Sequence, residues 1–447
     1  MTNKRYLLSF ALFLLSVIGC WAKNSVAPMT AGNVFLKLGD TDVTAPVKLT
    51  NWGDTEARSI VYTLYYMDEN LSEGPTSLRF DTPLAVGETR EVNIPIKPGN
   101  ELGKADVVFN ITHVNDQYNE ASVGFTNITR CTVNKMPHKR VLVEDYTAMW
   151  CWVCPIGMVA TDAITRMYPN DVVPVTIHKA DALSRVVSYS VYDGLTNQYA
   201  ESLPAVWIAR DNKAAGYDVT DAYKMEKSRV TYMNINVEAQ WDETSNNIRV
   251  TTQVEPCMLP EPGSTYAVGY VLTASGLSND NWYQKSSYAE YGSDAYKNAP
   301  EEMRFYADAA NYTEGYSAVK GVVYNHVAIE SQGMQQGVEH SLTGDYQANE
   351  VKTHTTTFDH VDQYGVITDR SKIEVVAVLF NTQTGKIENA ARCHVGDGSN
   401  TPTGITQTTS KASSETSGTY DMQGRQVEGK LQPGMYIVNG KKMIIKR

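Results

Sequence analysis

Between Val34 and about Thr132, apolar residues recur at every second position: Val47 and Leu49, then Tyr62, Leu64 and Tyr66, then Val92, Ile94 and Ile96. That period sends alternate side chains to opposite faces and predicts strands. Turn formers at Asn51-Trp52-Gly53-Asp54 and Val86-Gly87-Glu88 break the run at the spacing of an antiparallel sandwich, here residues 24–135. From Arg140 to about Tyr217 the pattern changes. A short apolar strand, Val141-Leu142-Val143, leads into Trp150-Cys151-Trp152-Val153-Cys154-Pro155 and a helical stretch from Ile156 to Tyr168. A strand over Val172–His178, a polar helical stretch around Tyr192–Glu201 and the run Leu203–Ile208 follow, which together predict an α/β module over residues 139–222. Alternation returns in Ile235, Val237, Ala239 and Trp241 and again in Ile248, Val250, Thr252 and Val254. A hairpin of Ile373–Asn381 and Lys386–His394, turning at Gln383-Thr384-Gly385, closes a β-rich region over residues 230–396.

Both ends of the chain read differently. Lys4 and Arg5 precede the apolar run Tyr6–Gly19, the pattern of an export signal over residues 1–22 and too short to span a bilayer. Cleavage before Cys20 gives a lipoprotein; cleavage after Ala22 gives a plain secreted chain, and the sequence leaves both open. Residues 397–417 form a Ser/Thr/Gly-rich linker, and residues 418–447 a small β-rich tail. From Tyr420 onward the tail carries six basic against two acidic residues, in a chain whose overall charge is −11. That overall charge argues against nucleic acid and other polyanionic partners. The chain has 447 residues, enough for about three domains, and 20% charged residues, which excludes bulk disorder. Five cysteines follow Cys20, so an intramolecular scheme leaves one over. Cys257 and Cys393, each near a strand end, are candidates to pair, with Cys131 the remainder.

The chemistry concentrates in one segment. A Cys-x-x-Cys at a helix N-terminus sets its first sulfur beside unsatisfied backbone N–H groups, which favour the thiolate. Cys151 is then the attacking nucleophile, and Cys154, one turn on, the resolving thiol. Pro155 suits the first helical turn. No second Cys-x-x-Cys or His pair stands at zinc spacing, so neither metal nor cofactor is expected. His178 reads as a core or loop histidine, and His354, Asp359 and His360 make no triad. Trp282, Tyr283, Tyr288 and Tyr291 read as loop packing, with a binding platform as the alternative.

Glu144 to Pro155 closely resembles the thioredoxin active site. The resemblance implies that Asp145, six residues before Cys151, is the buried acid that accepts the proton from Cys154, and that Pro204 in Leu203-Pro204-Ala205 is a cis-proline beside the substrate chain. Glu144 competes with Asp145, because neighbours on a strand face opposite sides. The segments VLVEDYTAMWCWVCP, VTIHKADAL, ESLPAVWIAR, YNHVAIE and VVAVLFNTQTGKIENAA resemble the thioredoxin-like outer-membrane protein family first described at twenty-eight kilodaltons. VKLTNWGDTEARSIVYTLYY and LAVGETREVNIPI look like an adhesion-type immunoglobulin-like module. The tail YDMQGRQVEGKLQPGMYIVNGKKMIIKR resembles the sorting domain of type IX secretion cargo, which implies the secretion machinery as a partner and the outer membrane, cell surface or medium as destination. The expected protein is a multidomain α+β chain: an immunoglobulin-like sandwich, a central thioredoxin-like α/β module, a C-terminal β domain and a sorting tail. Two functions stay open, thiol–disulfide exchange on exported proteins and a non-catalytic surface or binding role.

Overall fold

The computed structural model describes residues 23–396 apart from 30–31, 42, 189–191, 193, 215–218, 243, 288–300 and 314–317, and in the remaining chain the backbone of 419–421, 434–438 and 441–445. The export signal with Cys20, the linker and the aromatics Tyr288 and Tyr291 therefore lie outside the described residues. The chain divides into two compact units, with the boundary after Ser399.

The first nine strands are β1 (Val26–Pro28), β2 (Gly32–Lys37), β3 (Val43–Asn51), β4 (Ala57–Tyr66), β5 (Leu71–Leu84), β6 (Thr89–Ile96), β7 (Gly103–Val114), β8 (Gln117–Tyr118) and β9 (Phe125–Val133). They form one sheet in the order β1-β3-β6 and another in the order β2-β9-β7-β4-β5, with β8 paired to β7. The period-two residues explain why the sheets face each other. Val47 and Leu49 on β3, and Ile94 and Ile96 on β6, share one core with Ile60, Tyr62, Leu64 and Tyr66 on β4 and with Val107, Phe109 and Ile111 on β7. Each sheet buries one face and leaves the other in water.

The remaining strands of the first unit are β10 (Val141–Thr147), β11 (Val172–His178), β12 (Ala205–Ile208), β13 (Asn212–Ala214), β14 (Met233–Asp242), β15 (Asn247–Pro256), β16 (Tyr266–Ala274), β17 (Gln284–Lys285), β18 (Ala318–Val319), β19 (Val327–Gln332), β20 (Lys352–Phe358), β21 (Ile373–Asn381) and β22 (Lys386–Gly396). Eleven of them build a single sheet in the order β13-β12-β10-β11-β19-β16-β21-β22-β14-β15-β20, while β17 and β18 pair separately. The helices among the described residues are α1 (Pro155–Met167), α2 (Leu195–Tyr199), α3 (Thr220–Lys227) and α4 (Glu301–Ala307).

This architecture corrects the expected fold class. Strand makes up 48% of the chain and helix 12%, so the protein is mostly β, and residues 141–214 form no central α/β module of their own. β11 is buried along its whole length and pairs on its far edge with β19, from which the sheet runs on through β16 and β21. The core follows the sheet: Leu142, Tyr146 and Val173 pack in one cluster with Val271, Val376 and Phe380. The strand, helix, strand order read from residues 141–208 was a local pattern. The edge that a separate module would have exposed is covered by a strand about 150 residues later in the chain.

The second unit, by itself, contains a three-stranded antiparallel sheet of β23 (Thr419–Asp421), β24 (Gly434–Val438) and β25 (Lys441–Ile445) in that order. Among the described residues no helix is long and apolar enough to cross a membrane.

Candidate functional site around Cys151 and Cys154

β10 is an interior strand, parallel to β11 and antiparallel to β12, and it ends at Thr147. A tight turn follows, in which the Cys151 N–H donates to the Ala148 carbonyl at 3.0 Å, and α1 begins directly after Cys154 with Pro155 in its first turn. Cys151 and Cys154 are joined in a disulfide with their Cα atoms 5.4 Å apart. Cys151 is 5% exposed and Cys154 fully buried, whereas Trp150, Trp152 and Val153 around them are exposed. The sulfurs thus sit just beneath an apolar surface patch. Leu203 packs against the pair, and the Leu203–Pro204 peptide is cis.

Glu144 and Asp145 face opposite sides of β10, and their surroundings differ sharply. Glu144 accepts two bonds from the Arg210 guanidinium, at 2.7 and 2.6 Å, and Arg210 also donates to the Met334 carbonyl at 2.6 Å. Asp145 lies on the α1 side. A Cβ built on Gly157 of α1 would stand 2.7 Å from Asp145 Oδ1 and 2.9 Å from Pro204 Cβ, so only glycine lets the helix close over the acid. Asp145 is completely buried and neither of its carboxylate oxygens has a hydrogen-bond partner among the described residues. Burial, helped by the negative charge of Asp162, pushes its pKa up to about 8. Near neutral pH the group is mainly protonated, a proton reservoir on the same side of the sheet as α1 and the disulfide.

Two further holds on the cysteine turn escaped the sequence reading. Asp181 Oδ2 accepts from the Met149 N–H at 2.9 Å and pairs with His178 Nδ1 at 2.6 Å. Burial alone would raise the Asp181 pKa, but the His178 contact and the backbone N–H groups of Ser184 and Met149 outweigh it and keep the carboxyl below its usual range. His178 is therefore buried and hydrogen-bonded next to the turn. On the other side, Gln284 is fully buried and its Nε2 donates to the carbonyls of Ala148 at 3.2 Å and Cys151 at 3.0 Å. Histidine three residues before aspartate after a strand was the only available signal for the first hold. For the second there was none.

Among the described residues, the other cysteines, Cys131, Cys257 and Cys393, are free and buried. The suggested Cys257–Cys393 pair does not form, and β14 shows why. The Cys257 N–H donates to the Tyr232 carbonyl, just before one end of β14, whereas Cys393 precedes Val395, the partner of Ala239. That offset of about five residues is roughly 16 Å of strand, beyond the span of about 7 Å that a disulfide bridges. Cys257 packs instead in a small cluster with Cys131, Tyr232 and Phe35. His354 meets the Tyr270 hydroxyl at 2.8 Å, and the half-buried Trp282 packs against the large core and the Tyr324 ring.

No family model and no curated protein matches the chain. Among solved structures, it is similar to a structural-genomics crystal structure of a protein from Agrobacterium tumefaciens, at 14% identity and a TM-score of 0.31, over 60% of this chain and 99% of that one. It is also similar to a domain of the outer membrane lipoprotein Omp28 from Porphyromonas gingivalis, at 13% identity and a TM-score of 0.19, over 38% and 92% of the two chains. TM-scores this low decide neither fold nor activity, so the resemblances to the thioredoxin active site and to the sorting tail rest on their residues alone.

Proposed function

We propose that this is an exported protein that exchanges thiols and disulfides with other exported proteins through Cys151 and Cys154. The observation that carries the reading is the combination at one spot of a Cys-x-x-Cys disulfide at a helix start and a buried, unpartnered carboxyl under the same helix. A client thiolate attacks Cys151 Sγ, the S–S bond breaks, and its electron pair leaves on Cys154. Asp145, protonated near neutral pH, supplies the proton that neutralises the Cys154 thiolate. In the opposite direction a Cys151 thiolate attacks a client disulfide and one client sulfur leaves as thiolate; Cys154, losing its proton to ionised Asp145, then attacks Cys151 Sγ and displaces the second client sulfur. The leader Lys4–Gly19 supports export, and the tail from Tyr420 supports delivery through the secretion machinery to the outer membrane or surface.

One observation favours a second reading, a surface or binding protein whose disulfide is structural: Cys151 is only 5% exposed while the tryptophans beside it are open to solvent. Trapping separates the two. Cys154→Ser removes resolution but leaves attack by Cys151, so mixed disulfides with client proteins should accumulate on non-reducing gels. If Cys154→Ser traps no more than Cys151→Ser, the exchange reading falls and the binding reading stands.

A further inference from the structure

The cysteine turn is gripped by a segment far away in the chain. Residues 284–287 run along it: the Lys285 N–H donates to the Met149 carbonyl at 2.7 Å, and the Ser287 N–H to the Trp152 carbonyl at 3.0 Å. Ser287 Oγ donates to the same Trp152 carbonyl at 3.3 Å, and Lys285 Nζ stands 4.8 Å from the centre of the Trp152 ring. Gln284 fastens the strap from below through the Ala148 and Cys151 carbonyls. The strap itself is anchored, because β17 pairs with β18 and Ser286 Oγ donates to the Tyr306 carbonyl at 3.1 Å. Four of the five carbonyls from Ala148 to Trp152, all but that of Trp150, accept from this one strap.

We propose that Gln284 is a positioning residue that gates the Cys151–Cys154 disulfide: it holds the turn closed over the sulfurs, and release of the strap is a step in their reaction with any thiol. In-line attack on Cys151 needs an open path along the S–S axis, and a sulfur 5% exposed offers little of one. The strap's hydrogen bonds to the turn all end on backbone carbonyls, which are present in both redox states. It therefore changes how fast the pair exchanges and leaves the equilibrium alone. This inference deepens the exchange reading but is tested without a client, so each can fail independently.

The test uses the full-length oxidised chain and dithiothreitol. One thiolate of the reagent attacks Cys151 Sγ, Cys154 leaves and takes a proton, and the second reagent thiol displaces Cys151 as the reagent closes to its cyclic disulfide. The readout is iodoacetamide labelling by mass spectrometry, with Cys131, Cys257 and Cys393 as internal reporters of unfolding. Losing the Gln284 hydrogen bonds should speed reduction in Gln284→Ala by about tenfold or more. Ser287→Pro, at an exposed position, removes both donors to the Trp152 carbonyl and should speed it several-fold. In both, the equilibrium ratio against dithiothreitol should stay within about twofold of the wild type, with the three buried thiols unlabelled. An unchanged rate in Ser287→Pro and Gln284→Ala overturns the proposal. So does acceleration that appears only together with labelling of the buried thiols, and if Gln284→Ala does not fold, Ser287→Pro decides alone.

Discussion

The two faces of β10 carry neighbouring buried acids with opposite fates. On one face Glu144 has a bidentate guanidinium, and Arg210 in turn lies over the rings of Tyr192, Tyr199 and Phe380 and ties down the Met334 carbonyl. On the other, Asp145 has no hydrogen-bond partner among the described residues and is roofed by Gly157 and Pro204. Desolvating a charge is tolerable only when the interior replaces what water supplied. Glu144 is therefore a charged structural post that joins β10 to the far part of the large sheet. Asp145 is a group whose charge the fold does not support, and a group in that condition holds or moves a proton. The lesson is that burial alone does not mark the reactive acid; the absence of a partner does.

The largest expected effect comes from breaking the supported side. Arg210→Ala leaves the Glu144 carboxylate buried and uncompensated, so unfolding free energy in urea should fall by about 4 kcal/mol. Glu144→Gln with Arg210→Met together should recover most of that loss. A loss under about 1 kcal/mol for Arg210→Ala would mean that the pair is no post, and the contrast between the faces would collapse.

The unsupported side predicts the reverse, in a form only pH reveals. The folded Asp145 pKa is about 8 against an ordinary 3.8, so between these values the folded state binds the extra proton. Stability from this group is then fully present at low pH and is lost as pH rises toward 8. Asp145→Asn removes that slope. From pH 5 to pH 7 the mutant should gain on the wild type by about 2.5 kcal/mol in unfolding free energy. Its reduced form should also resolve mixed disulfides more slowly. Parallel stability curves for the two proteins over that range would show that Asp145 is not held protonated.

How much of this contrast was legible beforehand follows from the range of each interaction. The strand Val172–His178, the closing hairpin and the cysteine motif are local, and periodicity or spacing revealed them. The choice between Glu144 and Asp145 was not, since it depends on Arg210, Gly157 and Pro204, which only the folded sheet brings to the strand. Likewise the central module dissolved into the large sheet because β19 pairs with β11 across an interval that no local pattern bridges. Gln284 reaches the Cys151 carbonyl from 133 residues away, and a glutamine in a polar loop announces nothing. The sequence reading succeeded where residues close in the chain act together and failed where the partner arrives late.

A smaller effect tests how tightly the roof fits. Gly157→Ala puts a methyl group into the 2.7 Å and 2.9 Å gaps to Asp145 and Pro204, and neither neighbour is the free end of a flexible chain. Helix propensity favours alanine by about 1 kcal/mol, while overpacking costs about 1–3 kcal/mol. The balance should be a net loss of about 1 kcal/mol by thermal or urea unfolding. A net gain would show that α1 stands off from Asp145, leaving room for water to solvate the acid and removing the reason for its raised pKa.

The smallest effect separates the two causes of that raised pKa. Burial is the larger and the negative charge of Asp162 the smaller, and burial also raises the pKa of Asp162 itself despite the nearby His326 and Arg166. Asp162→Asn removes the like charge and leaves the burial of Asp145 untouched, so ionised Asp145 becomes less unfavourable. Its midpoint must then move down, and the loss of stability with rising pH should begin at a lower pH than in the wild type. The same substitution made on the Asp145→Asn background should leave the position of any remaining pH dependence near neutrality unchanged, since the responding carboxyl is gone. If Asp162→Asn shifts the curve equally in both backgrounds, the proton seen near neutrality belongs to Asp162 and its own neighbours, and the unsupported acid of β10 would have to be sought there.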